Sequence, residues 1–121
     1  MLLTSCDGFF TEKEVYGAYS PVDYKNNFDT IQLMPHNIYR RKVYDKNKKL
    51  LLDMKGKWEL ENNINVHFEP FYLNLDDDLV EFPNKVSDTT GGWGGRLEIH
   101  KRIVHFCVGY DVSSNCYRKI K

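Results

Sequence analysis

Chemistry near neutral pH asks first for histidines, and the chain has four: His36, His67, His100 and His105. His67 and Glu69 stand two apart, so they share one face of an extended strand. His100 and His105 have opposite parity and share a face only if a turn at Lys101-Arg102 separates them. A zinc site needs convergent ligands, and these pairs offer no third member, so rim or solvent-facing histidines are expected and no metal. Asp76-Asp77-Asp78 with Glu81 offers oxygen ligands. The segment lacks the alternating ligands, central glycine and distal glutamate of a calcium loop, and reads as a solvated acidic stretch. Ser113 and Ser114 belong to no Gly-x-Ser-x-Gly elbow. Cys107 sits in an apolar run, a poor place for a thiolate. Glu59 and Glu69 could face each other across two strands, but nothing in the sequence sets the separation a glycosidase requires. The expectation is a non-catalytic protein without a cofactor.

Gly91-Gly92-Trp93-Gly94-Gly95 is the most unusual segment. It is no phosphate loop, since neither Lys-Ser nor Lys-Thr follows it and the next residues read as a strand. One large amphipathic ring among glycines suits a contact residue at a binding surface. It equally suits a ring that caps the mouth of a barrel, with the glycines permitting the turn.

The charges point to a patterned surface. Basic and acidic residues number 17 each, and the zero balance argues against a general nucleic-acid binder. By segment, residues 1–35 carry −3, 36–57 carry +6, 58–81 carry −7, 82–95 carry 0 and 96–121 carry +4. The basic block holds Arg40-Arg41-Lys42 and then Lys46, Lys48 and Lys49. Such a block steers a partner or rests against anionic lipid. Alternatively it is a solvated face whose charges pair across neighbouring strands. Trp93, Arg40 and Arg41 are the candidate partner-binding residues.

The N-terminus carries a different chemistry. Leu3-Thr4-Ser5-Cys6 resembles a bacterial lipobox, an apolar residue and two small ones before a cysteine. The resemblance implies cleavage before Cys6 and a diacylglycerol on its sulfur. A secretory leader has a basic region and an apolar stretch of about 7–15 residues. Only Met1 to Ser5 precede Cys6, so residues 1–5 read as the remnant of one. The alternative is an ordinary N-terminus with a free or buried thiol. Three cysteines leave one without a mate. Lipidation of Cys6 would account for it and leave Cys107 and Cys116 as a disulfide pair across a short hairpin. Two reduced buried thiols are the other possibility. No run of 18 apolar residues exists to span a membrane as a helix.

The elements that must position these residues read as strands. Phe28 to Met34 alternates, with Thr30 and Gln32 on one face and Asp29, Ile31 and Leu33 on the other. Ile64, Val66 and Phe68 give the cleanest inward set. Further strands are expected at 16–19, 38–44, 50–60, 96–99, 103–108 and 116–120. Gly56 is expected to mark a bulge or a division of the fourth strand. A short helix is expected near Asp77 to Phe82. Strands joined by short turns favour antiparallel neighbours, hence an all-β chain of about eight strands in a meander closing into a small barrel. A β-sandwich is the alternative. The domain reading is a lipid-anchored tether over 6–14 and one barrel domain over 15–121.

The order Thr-Ile-Gln-Leu, Ile-Tyr, Gly-Lys-Trp-Glu-Leu, Ile-Asn-Val-His-Phe, Trp-Gly-Gly and Cys-Tyr-Arg-Lys-Ile resembles small bacterial lipoproteins with lipocalin-like barrels. The resemblance implies that fold and anchoring in the cell envelope, facing the periplasm or the cell surface. The function expected is a monomeric, membrane-anchored module that binds another protein, of the inhibitor, immunity or envelope-accessory type. A carrier of a small apolar ligand is the second reading, predicting a cavity lined by Ile31, Leu33, Val66 and Phe68. An enzyme is the third.

Overall fold

The computed structural model describes residues 9–22, 28–71, 91–108 and 116–121. A one-turn helix, α1 (Glu12–Val15), is followed by eight strands: β1 (Gly17–Pro21), β2 (Phe28–Met34), β3 (Ile38–Tyr44), β4 (Leu50–Glu61), β5 (Asn65–Glu69), β6 (Trp93–His100), β7 (Ile103–Cys107) and β8 (Cys116–Lys119). Each strand pairs antiparallel with the next, and β8 pairs back on β1, so the sheet is a closed barrel. Tyr19 faces Lys119 and Pro21 faces Tyr117 across that last seam. Closure removes the free edges that a sandwich would have to protect, and the sandwich alternative is set aside.

Alternation sets which side chains turn inward. Ile31 and Leu33 of β2, Tyr39 and Val43 of β3, Trp58 of β4, Val66 and Phe68 of β5, Leu97 of β6, Phe106 of β7 and Tyr117 of β8 are all buried. Aromatic rings fill much of this space. Tyr39 meets Phe68 at 5.2 Å, Phe68 meets Phe71 at 5.0 Å and Phe106 at 5.5 Å, and Phe106 stacks on Tyr117 at 5.5 Å. Edge and offset contacts of this kind stabilise beyond the area they bury.

The two ends of the barrel differ. The lower end carries the tight β2–β3, β4–β5 and β6–β7 turns. Their residues His36, Asn37, Asn62, Asn63, Lys101 and Arg102 all have positive φ, which suits the right-handed twist of a hairpin. The upper end carries the β3–β4 turn, the ends of β1, β5 and β7 and the beginnings of β2, β6 and β8.

Helix α1 closes the lower end, where a plain tether was expected. Thr11 and Glu14 form a capping box: the Glu14 amide donates to the Thr11 hydroxyl and the Thr11 amide to the Glu14 carboxylate. At the other terminus, the Tyr19 hydroxyl donates to Val15 O at 2.7 Å and the Lys119 ammonium to Glu14 O at 3.0 Å. Both satisfy carbonyls that a helix leaves open. Burial pushes the Tyr19 phenol up and the Lys119 ammonium down. Phe10 is buried beside Val15, and its amide donates to Asn63 O at 2.7 Å.

Strand β4 is continuous through Gly56, so the expected division is absent; the register shift lies at Val43 and Tyr44 instead. Gly56 is needed for space. A Cβ there would meet Glu69 O at 2.7 Å and the Tyr39 ring at 2.8 Å. The Tyr39 ring lies over that gap and its hydroxyl donates to Pro70 O. The helix expected near Asp77 to Phe82 lies outside the described residues.

Candidate functional site

The most concentrated chemistry lies inside the barrel. Asp29, the second residue of β2, lies on the inward face, as alternation with Ile31 and Leu33 requires. Arg41 is inward too, flanked by Tyr39 and Val43 on β3. Its Nε and Nη2 donate to the two Asp29 carboxylate oxygens at 3.1 and 2.8 Å. The Tyr117 hydroxyl completes the set, donating to Asp29 Oδ2 at 2.8 Å and accepting from Arg41 Nη2 at 2.9 Å. The guanidinium also lies 4.7 Å from the centre of the Phe71 ring. Charge and hydrogen bonds are matched in a site only 1% exposed at Arg41. Such a network braces β2, β3 and β8 against one another beneath the upper end. The same burial pushes the Tyr39 phenol up to about 12, opposed by the Arg41 charge, so it stays a neutral donor.

This placement corrects one expectation. The basic block at 40–42 implies a partner-binding Arg41, but its side chain is in the core and is unavailable to a partner. Neighbouring Arg40 faces out, as period-two alternation demands.

The outer face of β2 and β3 is polar. Gln32 stands opposite Arg40 and Thr30 opposite Lys42. Together the four line a shallow groove of about 200 Å³. Arg40 reaches diagonally to Asp53 on β4, with Nε–Oδ1 at 3.2 Å and Nη2–Oδ2 at 3.0 Å. That hydrogen bond, more than the charge itself, holds the Asp53 carboxyl below its usual range. The pair is half exposed, so its geometry places Arg40 more than it stabilises the fold. Lys55 and Lys57 continue the basic face on β4, opposite Arg40 and Ile38. The basic turn beyond β3 is ordered by Asp45, whose Oδ1 accepts from Asn47 N at 2.8 Å and Lys49 N at 2.9 Å.

Trp93 begins β6 at the upper rim, half-buried against the core. Gly94 and Gly95 belong to the strand and are no flexible loop. A Cβ on Gly95 would overlap the Cys107 carbonyl of β7, so the glycine permits close approach of two backbones. This placement suits the capping reading of Trp93 better than that of an exposed anchor.

His67 and Glu69 do share a face, 3.7 Å apart, and His100 lies 3.4 Å from Glu98. The turn at Lys101-Arg102 also brings the His100 and His105 rings to 4.9 Å. Among the described residues no three His, Cys, Asp or Glu side chains converge. Glu59 pairs with His67 and Glu69 with Lys57 on the outer face, which sets the two carboxylates on an open surface. Asp76, Asp77, Asp78, Glu81, Ser113, Ser114 and Cys6 lie outside the described residues.

Cys107 and Cys116 face each other across β7 and β8 and are joined as a disulfide. A loop this short contributes about 2–3 kcal/mol in the chain-entropy picture. The bridge closes the upper end one residue from Phe106 and Tyr117. No family model, curated protein or solved structure matches this chain.

Proposed function

We propose that the chain is a lipid-anchored, non-catalytic protein-binding module of the bacterial cell envelope, held by a lipid on Cys6 and facing the periplasm or the cell surface. The observation that carries the binding reading is the outer β2–β3 groove of Thr30, Gln32, Arg40 and Lys42. It presents hydrogen-bonding groups and two cations on a rigid sheet, a fit for an acidic protein surface. The β4 lysines extend that field. The aromatic packing inside the barrel weighs against the carrier of an apolar ligand, because Val66 and Phe68 are consumed by the core. The disulfide supports an oxidising compartment, and it leaves Cys6 as the third cysteine.

Two measurements test this. Expressed from its own gene with the upstream sequence in place, the protein is expected in the detergent phase after cloud-point separation. Cys6→Ala should move it to the aqueous phase; a wild-type protein already in the aqueous phase removes the anchoring reading. Cross-linking in intact cells should capture a protein in stoichiometric yield, and Arg40→Glu with Lys42→Glu should abolish that capture. A co-purified small apolar molecule and no protein would favour the carrier.

A further inference from the structure

At the lower end of the barrel, the rim formed by β6, β7 and β8 is apolar and basic at once, while α1 and the end of β4 carry Glu12, Glu14, Glu59 and Glu61. Seven large hydrophobic side chains are exposed among the described residues: Phe9, Val22, Ile38, Leu50, Ile99, Ile103 and Ile120. Five of them, all but Val22 and Leu50, sit at the lower end. Ile99 is 41%, Ile103 39% and Ile120 51% exposed. Ile103 pairs with His100 on the outer face of β6–β7. Extending the β7–β8 register beyond His105 and Arg118 sets Ile103 opposite Ile120. Ile120 in turn is tied to β1 by its amide, which donates to Ala18 O at 2.8 Å. Ile103 and Ile120 therefore lie side by side on the outer face, and Ile99, opposite Val104 on the parity of inward Leu97, is exposed at the mouth of the same rim.

Cations lie along the β6–β7 and β8 side of this rim, and Glu12 and Glu14 of α1 lie on the side toward β1. Lys101 and Arg102 form the β6–β7 turn with φ of 53° and 69°. Both central residues at positive φ call for Asn or Gly, and the β4–β5 turn does use Asn62-Asn63. Two long cationic side chains at the β6–β7 turn break that local rule, which marks the turn as serving something besides the fold. Lys121 lies beyond Ile120. The nearest acid on this arc, Glu98, is engaged with His100.

The chain also enters here. Phe9 is at the lower end, next to the docked Phe10, and Cys6 is three residues earlier. Whatever path those residues take, they reach no more than about 11 Å from Phe9. We propose that the lower end is a docking surface for an anionic lipid bilayer, with Ile99, Ile103 and Ile120 entering the headgroup boundary and Lys101, Arg102 and Lys121 meeting lipid phosphates. Exposed isoleucine beside cations is the composition such a surface requires. The upper end and the β2–β3 groove then remain open to a protein partner. The inference deepens the anchoring reading and rests on it for the encounter with membrane, but it is measured without the lipid.

The test uses the full chain carrying Cys6→Ser, sedimented with vesicles of phosphatidylethanolamine and phosphatidylglycerol or of phosphatidylcholine alone. Binding is expected to the anionic vesicles, declining as salt is raised. Lys101→Asn with Arg102→Gly removes two cations while supplying the residues the turn prefers, so the fold is kept. It should weaken partitioning about thirtyfold. Ile103→Ser with Ile120→Ser should also weaken it, whereas Lys46→Gln with Lys49→Gln, at the opposite end, should leave it unchanged. Equal binding to both vesicle types, no binding at all, or an equal loss from the upper-end variant overturns the proposal. Detergent partitioning decides the lipid on Cys6 separately, so either reading can fall while the other stands.

Discussion

Arg41→Met is expected to destabilise the barrel by about 3–5 kcal/mol, a large share of what a domain this size has to lose. The reason is the carboxylate left behind. Asp29 is 2% exposed, and without the guanidinium its charge keeps the Tyr117 hydroxyl but has no opposite charge bonded to it among the described residues. Adding Asp29→Leu removes the orphaned charge and should recover most of the loss. The recovery will be incomplete, because Tyr117, 1% exposed, then lacks both Asp29 and Arg41 as partners. Losing hydrogen bonds at a buried hydroxyl costs about 1–3 kcal/mol. Tyr117→Phe in the same chain should restore that remainder. Urea denaturation of the single, double and triple variants measures the series. A single variant within about 1 kcal/mol of wild type would show that the ion pair does not brace the core, since breaking a buried pair costs several times more.

How much of this was legible in the sequence depends on distance along the chain. Alternation over Phe28 to Met34 places Asp29 on the inner face with Ile31 and Leu33, and the structure agrees. The same alternation over Tyr39, Arg41 and Val43 carries the signal that Arg41 is inward. It was masked by Arg40 and Lys42, which make the three residues look like one charged block. The third partner was not legible at all. Tyr117 stands 88 residues from Asp29, and only barrel closure through β8 and β1 brings them together. Register across a closed sheet is a global property, whereas sequence periodicity reports a single strand.

The turns show a similar boundary. Asn62-Asn63 announces its positive φ through residue type, but Lys101-Arg102 does not. His36 and, in the β3–β4 turn at the upper end, Lys48 depart from the preference in the same way. The Thr11-to-Glu14 capping box carries a sequence signature, but a helix of one turn has no periodicity to support it. The glycines around Trp93 read by composition as residues that permit a turn. Gly94 and Gly95 are in fact strand residues, chosen because the neighbouring backbones come too close for a Cβ.

Trp58→Ala is expected to cost about 3–5 kcal/mol, the range for truncating a fully buried large ring. Trp58 is 0% exposed, and its indole Nε1 donates to Met34 O at 2.9 Å. Its own backbone is pinned by Asn37, whose carbonyl accepts from Trp58 N and whose side-chain amide donates to Trp58 O, each at 3.0 Å. Tyr16, just after α1, meets the indole edge-on at 6.0 Å. Removing the ring therefore takes the floor from beneath α1 as well as opening a cavity. Trp58→Phe keeps most of the volume and loses the hydrogen bond, so about 1–2 kcal/mol is expected from the unpaired Met34 carbonyl. Urea midpoints give the two costs, and hydrogen exchange at Glu14 and Tyr16 reports the helix. In Trp58→Ala those amides should exchange faster than the global loss of stability explains, because the local support is gone. If their protection falls only in step with the rest of the barrel, Trp58 holds the core but not the helix. The lower end would then owe its shape to Phe10 and Val15 alone.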